Sequence, residues 1–186
     1  MRIISGLYKS RRLKSAPPEG TRPTGDKLRE TLFNILGETV RGCTFLDGCA
    51  GVGAIGIEAI SRGAALVVFV ERSRNATKMI RENLAALGIK EGFRILDMEL
   101  NKALAVSARD GIGFDVAFVD PPYDSDDIYD DALARLADGK LIVESGLAVF
   151  EHSKKRELPK ATGSFTKVRV LRQGDSGLSF YRLEVK

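Results

Sequence analysis

The chain has 186 residues, 44% of them hydrophobic, with two cysteines, one histidine and a net charge of +4. That length suits one domain with a sizeable core. No run approaches about 18 consecutive apolar residues, and Met1–Gly6 lacks the apolar centre of a signal peptide, so a soluble cytoplasmic protein is expected. Cys43, Cys49 and His152 are too few for a disulfide framework, a zinc site or a histidine-based metal centre, so no metal is expected. Both cysteines read as small buried residues, and His152 reads as a strand-end bystander.

Charge is unevenly placed. Residues 1–41 carry nine Lys or Arg against four acids, residues 152–186 carry nine against three, and the stretch between them has a net of −7. Two basic ends around an acidic centre point to a grip on a polyanion. The first fifteen residues hold Arg2, Lys9, Arg11, Arg12 and Lys14 and no acid, as a phosphate-contacting arm would.

Residues 1–23 read as a short basic β extension followed by a Pro- and Gly-containing loop. A helix should begin near Thr24 to Asp26, with Leu28, Leu32, Ile35 and Leu36 as its apolar stripe and Gly37 as its stop. Arg22, Lys27 and Arg29 fall at or beside its first turns, where the helix dipole mildly disfavours a cation; an anionic partner is therefore expected there. Arg22, Thr24 and Lys27 join the arm as candidate contacts to such a polyanion.

Next comes a strand, Thr44 onward, ending in the glycine-rich turn Gly48-Cys49-Ala50-Gly51-Val52-Gly53. A helix from Ala54 to Arg62 follows and is closed by Gly63. Such glycines let backbone amides and a helix amino end approach a ligand closely. The strand Leu66 to Val70 ends in Glu71, twenty residues after Gly51, where an acid can accept both ribose hydroxyls of a nucleoside. Gly51-Val52-Gly53-Ala54-Ile55-Gly56 matches the dinucleotide fingerprint literally, but two features favour another ligand. Asp47 precedes the first glycine of that fingerprint by four residues, as it does where the ligand presents a positive amino-acid end. The acidic middle of the chain also suits a cation, and S-adenosylmethionine supplies sulfonium, amino-acid and adenosine parts. Asp47, Gly48, Ala50, Gly51, Gly53, Glu71 and Arg72 are the candidate cofactor residues.

Ser73 should cap a helix carrying Ile80, Leu84 and Leu87, closed by Gly88. The strand Phe93 to Leu96 then leads into Asp97-Met98-Glu99-Leu100. In a doubly wound sheet this loop lies beside the adenine, with Asp97 or Glu99 as acceptor for its amine and Met98 or Leu100 covering the ring. The apolar run Phe114 to Val119 reads as a buried parallel strand. It is stopped by Pro121 and Pro122, which cannot continue a ladder. A carboxylate, Asp120, a stiff turn and an aromatic ring, Tyr123, thus arrive together at a strand's carboxyl end, where α/β sheets bind ligands. A base bearing an exocyclic amine needs this set. Tyr123 offers a stacking face worth about 1–3 kcal/mol, and Asp120 with a proline carbonyl offers acceptors for two N–H groups.

The acidic run Asp124 to Asp131 starts a helix, where carboxylates suit the amino-end dipole. A fifth strand is expected over Gly146 to Glu151. Phe165 to Leu171 and Leu178 to Val185 should form an antiparallel hairpin completing the sheet.

Together these segments resemble the RsmD family of 16S ribosomal RNA guanine-N2 methyltransferases over essentially the whole length. The resemblance rests on Arg2-Ile3-Ile4-Ser5-Gly6, Arg11-Arg12-Leu13, Arg22-Pro23-Thr24 through Arg29-Glu30-Thr31-Leu32-Phe33-Asn34, Glu58-Ala59-Ile60-Ser61-Arg62-Gly63 and Asp120-Pro121-Pro122-Tyr123. It implies a Rossmann-like class I methyltransferase: an α/β fold with a seven-stranded mixed sheet and helices on both faces. The basic extension, residues 1–23, would contact RNA and residues 24–186 would form the methyltransferase domain. S-adenosylmethionine would be the donor and a guanine of ribosomal RNA, naked or in an assembling small subunit, the acceptor of a monomeric enzyme. Cys49 and Val52 depart from the family's usual residues, as does Glu99-Leu100. The same four-residue block also occurs in DNA adenine-N6 methyltransferases and, with Asn first, in protein glutamine methyltransferases. This compact chain lacks a separate DNA-reading domain and has Asp at 120. A non-enzymatic RNA-binding module would leave the glycine turn and Glu71 unexplained.

Overall fold

A computed structural model describes residues 1–15, 25–122, 126–138 and 141–184. Its centre is a run of parallel strands: β1 (Thr44–Gly48), β2 (Leu66–Glu71), β3 (Phe93–Asp97), β4 (Phe114–Val119) and β5 (Ile142–Ser153). Val67, Val68, Phe69 and Val70 are all buried, as a strand covered on both faces by helices must be. Alternate residues face opposite layers: Phe45 joins the core under one set of helices and Leu46 the core under the other.

The first layer contains α1 (Asp26–Leu36), α2 (Ala54–Ser61) and α3 (Arg74–Ala86); the second contains α4 (Leu100–Arg109) and α5 (Asp126–Ala137). The chain order in the sheet is β3-β2-β1-β4-β5, so the winding reverses between β1 and β4. Ligands bind at the carboxyl ends of the two strands flanking such a reversal.

Beyond β5 the sheet turns antiparallel through β8 (Ser176–Leu183), β7 (Phe165–Gln173) and the edge strand β6 (Ala161–Thr162). The sheet therefore has eight strands among the described residues, one more than expected. The extra one, β6, is two residues long, too short to leave a hydrophobic alternation in the sequence. β5 also runs past the expected Gly146 to Glu151 at both ends. It carries an irregularity of register opposite Phe114 and Val116 that lets it extend.

The expected cap of α1 is absent: Gly25 is its N-cap and makes no side-chain bond, while Gly37 ends the helix at φ 53° as read. Ser73 does cap α3, accepting from the amide of Ala76. Among its described residues, 1–15, the amino-terminal β extension shows one antiparallel bridge, between Arg2 and Arg12, and the segment is anchored by other means. Ile3 and Leu13 enter the core. The buried carboxylate of Glu58 on α2 accepts from the amides of Ile4 (2.8 Å) and Ser5 (3.0 Å) and from Arg62 Nε (2.8 Å). Ser61 Oγ accepts from the Tyr8 amide and donates to the Ser5 carbonyl. Gly6 passes so close to α2 that a Cβ there would lie 1.8 Å from the Ser61 carbonyl oxygen. On α3, buried Asn83 bonds the backbone of Lys14 in both directions.

Arg29 overturns one expectation. It is fully buried, donates to the Arg2 carbonyl (2.6 Å) and to Asp26 (3.1 Å), and faces Glu58. Its anionic partners belong to the protein itself. His152 lies at the strand end, as expected, and is tied into the core. It is buried near the end of β5, with Nε2 2.8 Å from Ser179 Oγ and Nδ1 2.8 Å from the Ser153 carbonyl. Burial and nearby Lys167, Arg156 and Arg172 lower its pKa.

Candidate active site

Parallel register brings the ends of four strands into one row. Asp97 pairs with Glu71 across β3 and β2, while Gly48 pairs with Val70 of β2 and Val119 of β4. The next residues, Cys49 and Asp120, therefore continue the row, and the Asp120 amide donates to the Gly48 carbonyl at 3.1 Å. Asp97, Glu71, Cys49 and Asp120 lie along the sheet's carboxyl edge, at the β1/β4 reversal.

The glycine turn is wired to β2. The Ala50 amide donates to the Val70 carbonyl (2.9 Å), and the Gly51 amide donates to Glu71 Oε2 (2.8 Å). Glu71 Oε1 accepts from the Ser73 amide at 2.8 Å. Each carboxylate oxygen keeps a further lone pair, enough for a ribose hydroxyl. Asp47 lies beneath, 2% exposed, and its Oδ2 accepts from the Gly56 amide at the start of α2 (2.7 Å). Burial pushes its carboxyl up to about 7; the Gly56 amide opposes the rise and the charge of Glu71 adds to it. Gly56 itself holds α2 against β2: a Cβ there would come 2.2 Å from the Phe69 ring.

Cys49 adopts φ 63°, a left-handed conformation that costs a non-glycine residue about 1–2 kcal/mol and tends to occur at functional sites. Half-buried rather than buried, its thiol is pushed up to about 12 by burial and then by Asp120, Glu71 and Asp47, with Arg72 opposing. The negative charge of this edge is thus felt at the thiol. Sequence pattern placed each acid separately; the register of three strands brings them together.

In the Asp120 loop, Pro121 is buried and Pro122 exposed; Tyr123 lies outside the described residues. Tyr129 of α5 supports the loop, its hydroxyl donating to the carbonyls of Glu151 (3.0 Å) and Pro121 (3.4 Å). On the third loop Met98 is half-buried against the second core. Glu99 is exposed at the N-cap of α4 without a side-chain cap bond, and Asp97 accepts weakly from Thr77 at 3.5 Å. Of the candidate RNA contacts, Arg2, Lys9, Arg11, Arg12 and Lys27 are exposed, and Arg11 also donates to the Ala86 carbonyl at the end of α3. Arg22 and Thr24 lie outside the described residues. No group of His, Cys, Asp and Glu able to hold a metal occurs among the described residues, and no described helix is long and apolar enough to cross a membrane.

The donor set fits a ligand with a positive amino-acid end and a nucleoside. A pyrophosphate would meet the three carboxylates as like charge, at a cost. Sequence reasoning missed the role of Glu58, Ser61 and Asn83 as polar anchors of the arm; Glu58 and Ser61 stood in a family-like stretch, and Asn83 was signalled only by a polar residue at an inward helical position.

The family model described as Conserved hypothetical protein 95 matches residues 1–182. The chain is 36% identical to YlbH of Bacillus subtilis over 98% of both chains. It is 31% identical to Ribosomal RNA small subunit methyltransferase D of Escherichia coli, covering 100% of this chain and 91% of that protein. The solved structure of yhhF from Escherichia coli superposes with a TM-score of 0.86 at 31% identity, covering 100% of this chain and 99% of that one. The fold is that of the class I methyltransferases. With the full length matched in sequence and in fold, the chain belongs to the Conserved hypothetical protein 95 family, which is the RsmD family of ribosomal RNA small subunit methyltransferases.

Proposed function

We propose that this protein transfers a methyl group from S-adenosylmethionine to the exocyclic N2 amine of a guanine in small-subunit ribosomal RNA. The observation that carries the reading is that Asp47, Glu71 and Asp120 sit at the carboxyl ends of the neighbouring strands β1, β2 and β4, at the sheet reversal, in a chain of this family. When bound, S-adenosylmethionine supplies a methyl already activated by its sulfonium, so positioning is the protein's main task.

Asp47 and Glu71 hold the cationic amino-acid and ribose parts, with the amides of Gly48, Ala50, Gly51 and Gly53 lining the approach and Arg72, Met98 and Glu99 at its margin. Asp120 and a proline carbonyl accept the two N–H bonds of the guanine amine, which orients its lone pair. The Pro121 carbonyl retains a lone pair beyond the one facing Tyr129. Tyr123 stacks on the base, which must leave its own stack at a cost of a few kcal/mol. Arg2, Lys9, Arg11, Arg12, Arg22, Thr24 and Lys27 contact the RNA backbone.

The test is tritiated S-adenosylmethionine incubated separately with small-subunit RNA, DNA and bulk protein, followed by nucleoside analysis. Label should appear in N2-methylguanosine. Label confined to DNA or protein overturns the reading.

A further inference from the structure

Near the carboxyl end of β5, on the antiparallel side of the sheet, lies a cleft of about 180 Å³ whose lining spans β5, β8 and β7. Val119 pairs with Phe150, so the chain leaving β5 at His152 and Ser153 emerges next to the chain leaving β4, about 4.8 Å away across the sheet. The cleft is lined by Arg156, Lys160, Lys167 and Arg172, with His152 and Ser179 at its base and Glu157 the one acid on its wall.

The basic side chains converge because two features of the sequence meet. After β5 the segment Lys154–Lys160 returns across β8 and β7: Leu158 enters the second core, the Pro159 carbonyl accepts from the Tyr181 hydroxyl (2.7 Å) and the Lys160 carbonyl from the Lys167 amide (2.8 Å). The irregularity between Lys167 and Arg169 of β7 then sets the register that pairs Val170 with Ser179 and Arg172 with Gly177. Gly177 is needed at that point, since a Cβ would lie 2.6 Å from the His152 ring. The His152 ring is bonded on both sides, its pKa lowered by burial and by Lys167, Arg156 and Arg172, so it forms a neutral floor that adds no charge of its own.

Two of the cations are internally engaged. Lys167 donates to the Leu158 carbonyl at 2.6 Å; Arg156 pairs with Asp126 and lies 4.4 Å over the Tyr129 ring. Lys160 is exposed, with no carboxylate partner among the described residues, and Arg172 meets exposed Glu157 only at 3.9 Å. Arg156 also ties the cleft to the Asp120 loop, because Tyr129 bonds Pro121 and Asp126 opens the helix after that loop.

We infer that this cleft receives a backbone phosphate of the RNA strand next to the target guanine, so that the substrate is held on the β5 side of Asp120 as well as by the amino-terminal arm. The inference rests on the RNA methyltransferase reading above. A flipped base needs its flanking backbone fixed, and phosphate contacts fix register without reading sequence.

The experiment compares the intact protein with the double variant Lys160→Ala, Arg172→Ala. Both positions are exposed, and melting temperature and S-adenosylmethionine affinity check that the fold and cofactor site are intact. Binding to a small-subunit RNA transcript is titrated at several salt concentrations, and inorganic phosphate is titrated separately against the His152 imidazole resonances. The variant should bind RNA several-fold more weakly, with a salt slope smaller by about 0.7–0.9 for each phosphate it no longer neutralises, and with unchanged cofactor affinity. Arg172→Lys should retain most of the binding. RNA affinity and salt slope equal to those of the intact protein overturn the inference. So does a variant that loses only the response to inorganic phosphate, which would make the cleft a site for free anion. Intact protein that binds RNA through the cleft yet transfers no methyl would instead sink the underlying reading alone.

Discussion

Arg29 Nε and Glu58 Oε2 sit 3.9 Å apart with both side chains fully excluded from solvent. That separation is an ion pair without a direct hydrogen bond. Each group also bonds a neighbour in the fold, Glu58 to Arg62 and Arg29 to Asp26, and each reaches the amino-terminal segment: Glu58 through the amides of Ile4 and Ser5, Arg29 through the carbonyl of Arg2. The pair is therefore a clamp that docks the basic arm on α2. Removing one member of a buried pair strands the other charge and costs about 3–5 kcal/mol. Glu58→Ala should lower the denaturation midpoint accordingly and open residues 1–15 to limited proteolysis. Combining it with Arg29→Leu should cost less than the sum of the two single changes. Unaltered protection of residues 1–15 in Glu58→Ala would assign the docking to Ile3 and Leu13 alone.

Asp120→Ala should abolish methyl transfer by about 100-fold or more, the scale for loss of a positioned polar group at a reacting centre. S-adenosylmethionine affinity, read by calorimetry, should stay within a few-fold. Methylation at the rate of the intact protein would remove Asp120 from the acceptor pocket.

If Asp47 holds the cofactor as proposed, binding has a pH dependence with a definite sign. The Asp47 carboxyl is raised from 3.8 to about 7 in the folded protein, so the unliganded fold holds a proton that the unfolded chain releases. Stability is thus highest below about pH 4 for this group, declines as pH rises towards 7 and is level above. A cationic ligand favours the ionised form, so binding below pH 7 should release a proton and affinity should climb with pH before levelling. Asp47→Asn should flatten that climb, weaken cofactor binding, and raise the stability of the unliganded protein at pH 8 by on the order of a few kcal/mol. Calorimetry in buffers of different ionisation enthalpy measures the proton. A flat affinity profile in the intact protein would separate Asp47 from the ligand.

Gly56→Ala should force α2 off β2, because the new methyl would overlap the Phe69 ring. Overpacking of this kind costs about 1–3 kcal/mol, and the displaced amino end of α2 should weaken cofactor binding alongside the loss in melting temperature. A variant that melts and binds like the parent would show that Phe69 can rotate away freely.

Lys9→Glu with Arg12→Glu should weaken RNA binding uniformly across sequences and flatten its salt dependence without touching cofactor affinity. Arg11 is a poorer probe, since its guanidinium also bonds the Ala86 carbonyl. Unchanged RNA affinity would leave the arm as a structural strap.

The alternation of apolar strands with capped helices, the glycine turn after β1, Glu71 at the end of β2 and the proline stop after Val119 were all written in the sequence. Each depends on neighbours a few residues apart: a run of β-branched residues, a serine before a helix, prolines that cannot donate. What only the tertiary structure decided is which distant pieces meet. Arg29 looked like a cation seeking an external anion and found Glu58, 29 residues away in the chain. Lys160 and Arg172 were legible only as members of a basic carboxyl-terminal stretch until the antiparallel return of β8 and β7 placed them around one cleft. The three acids around Cys49 share an edge only because β4 lies against β1 rather than β3. Local pattern sets backbone conformation, because that energy is summed over adjacent residues. Partnership across the sheet depends on strand order and register, which no short stretch of sequence contains.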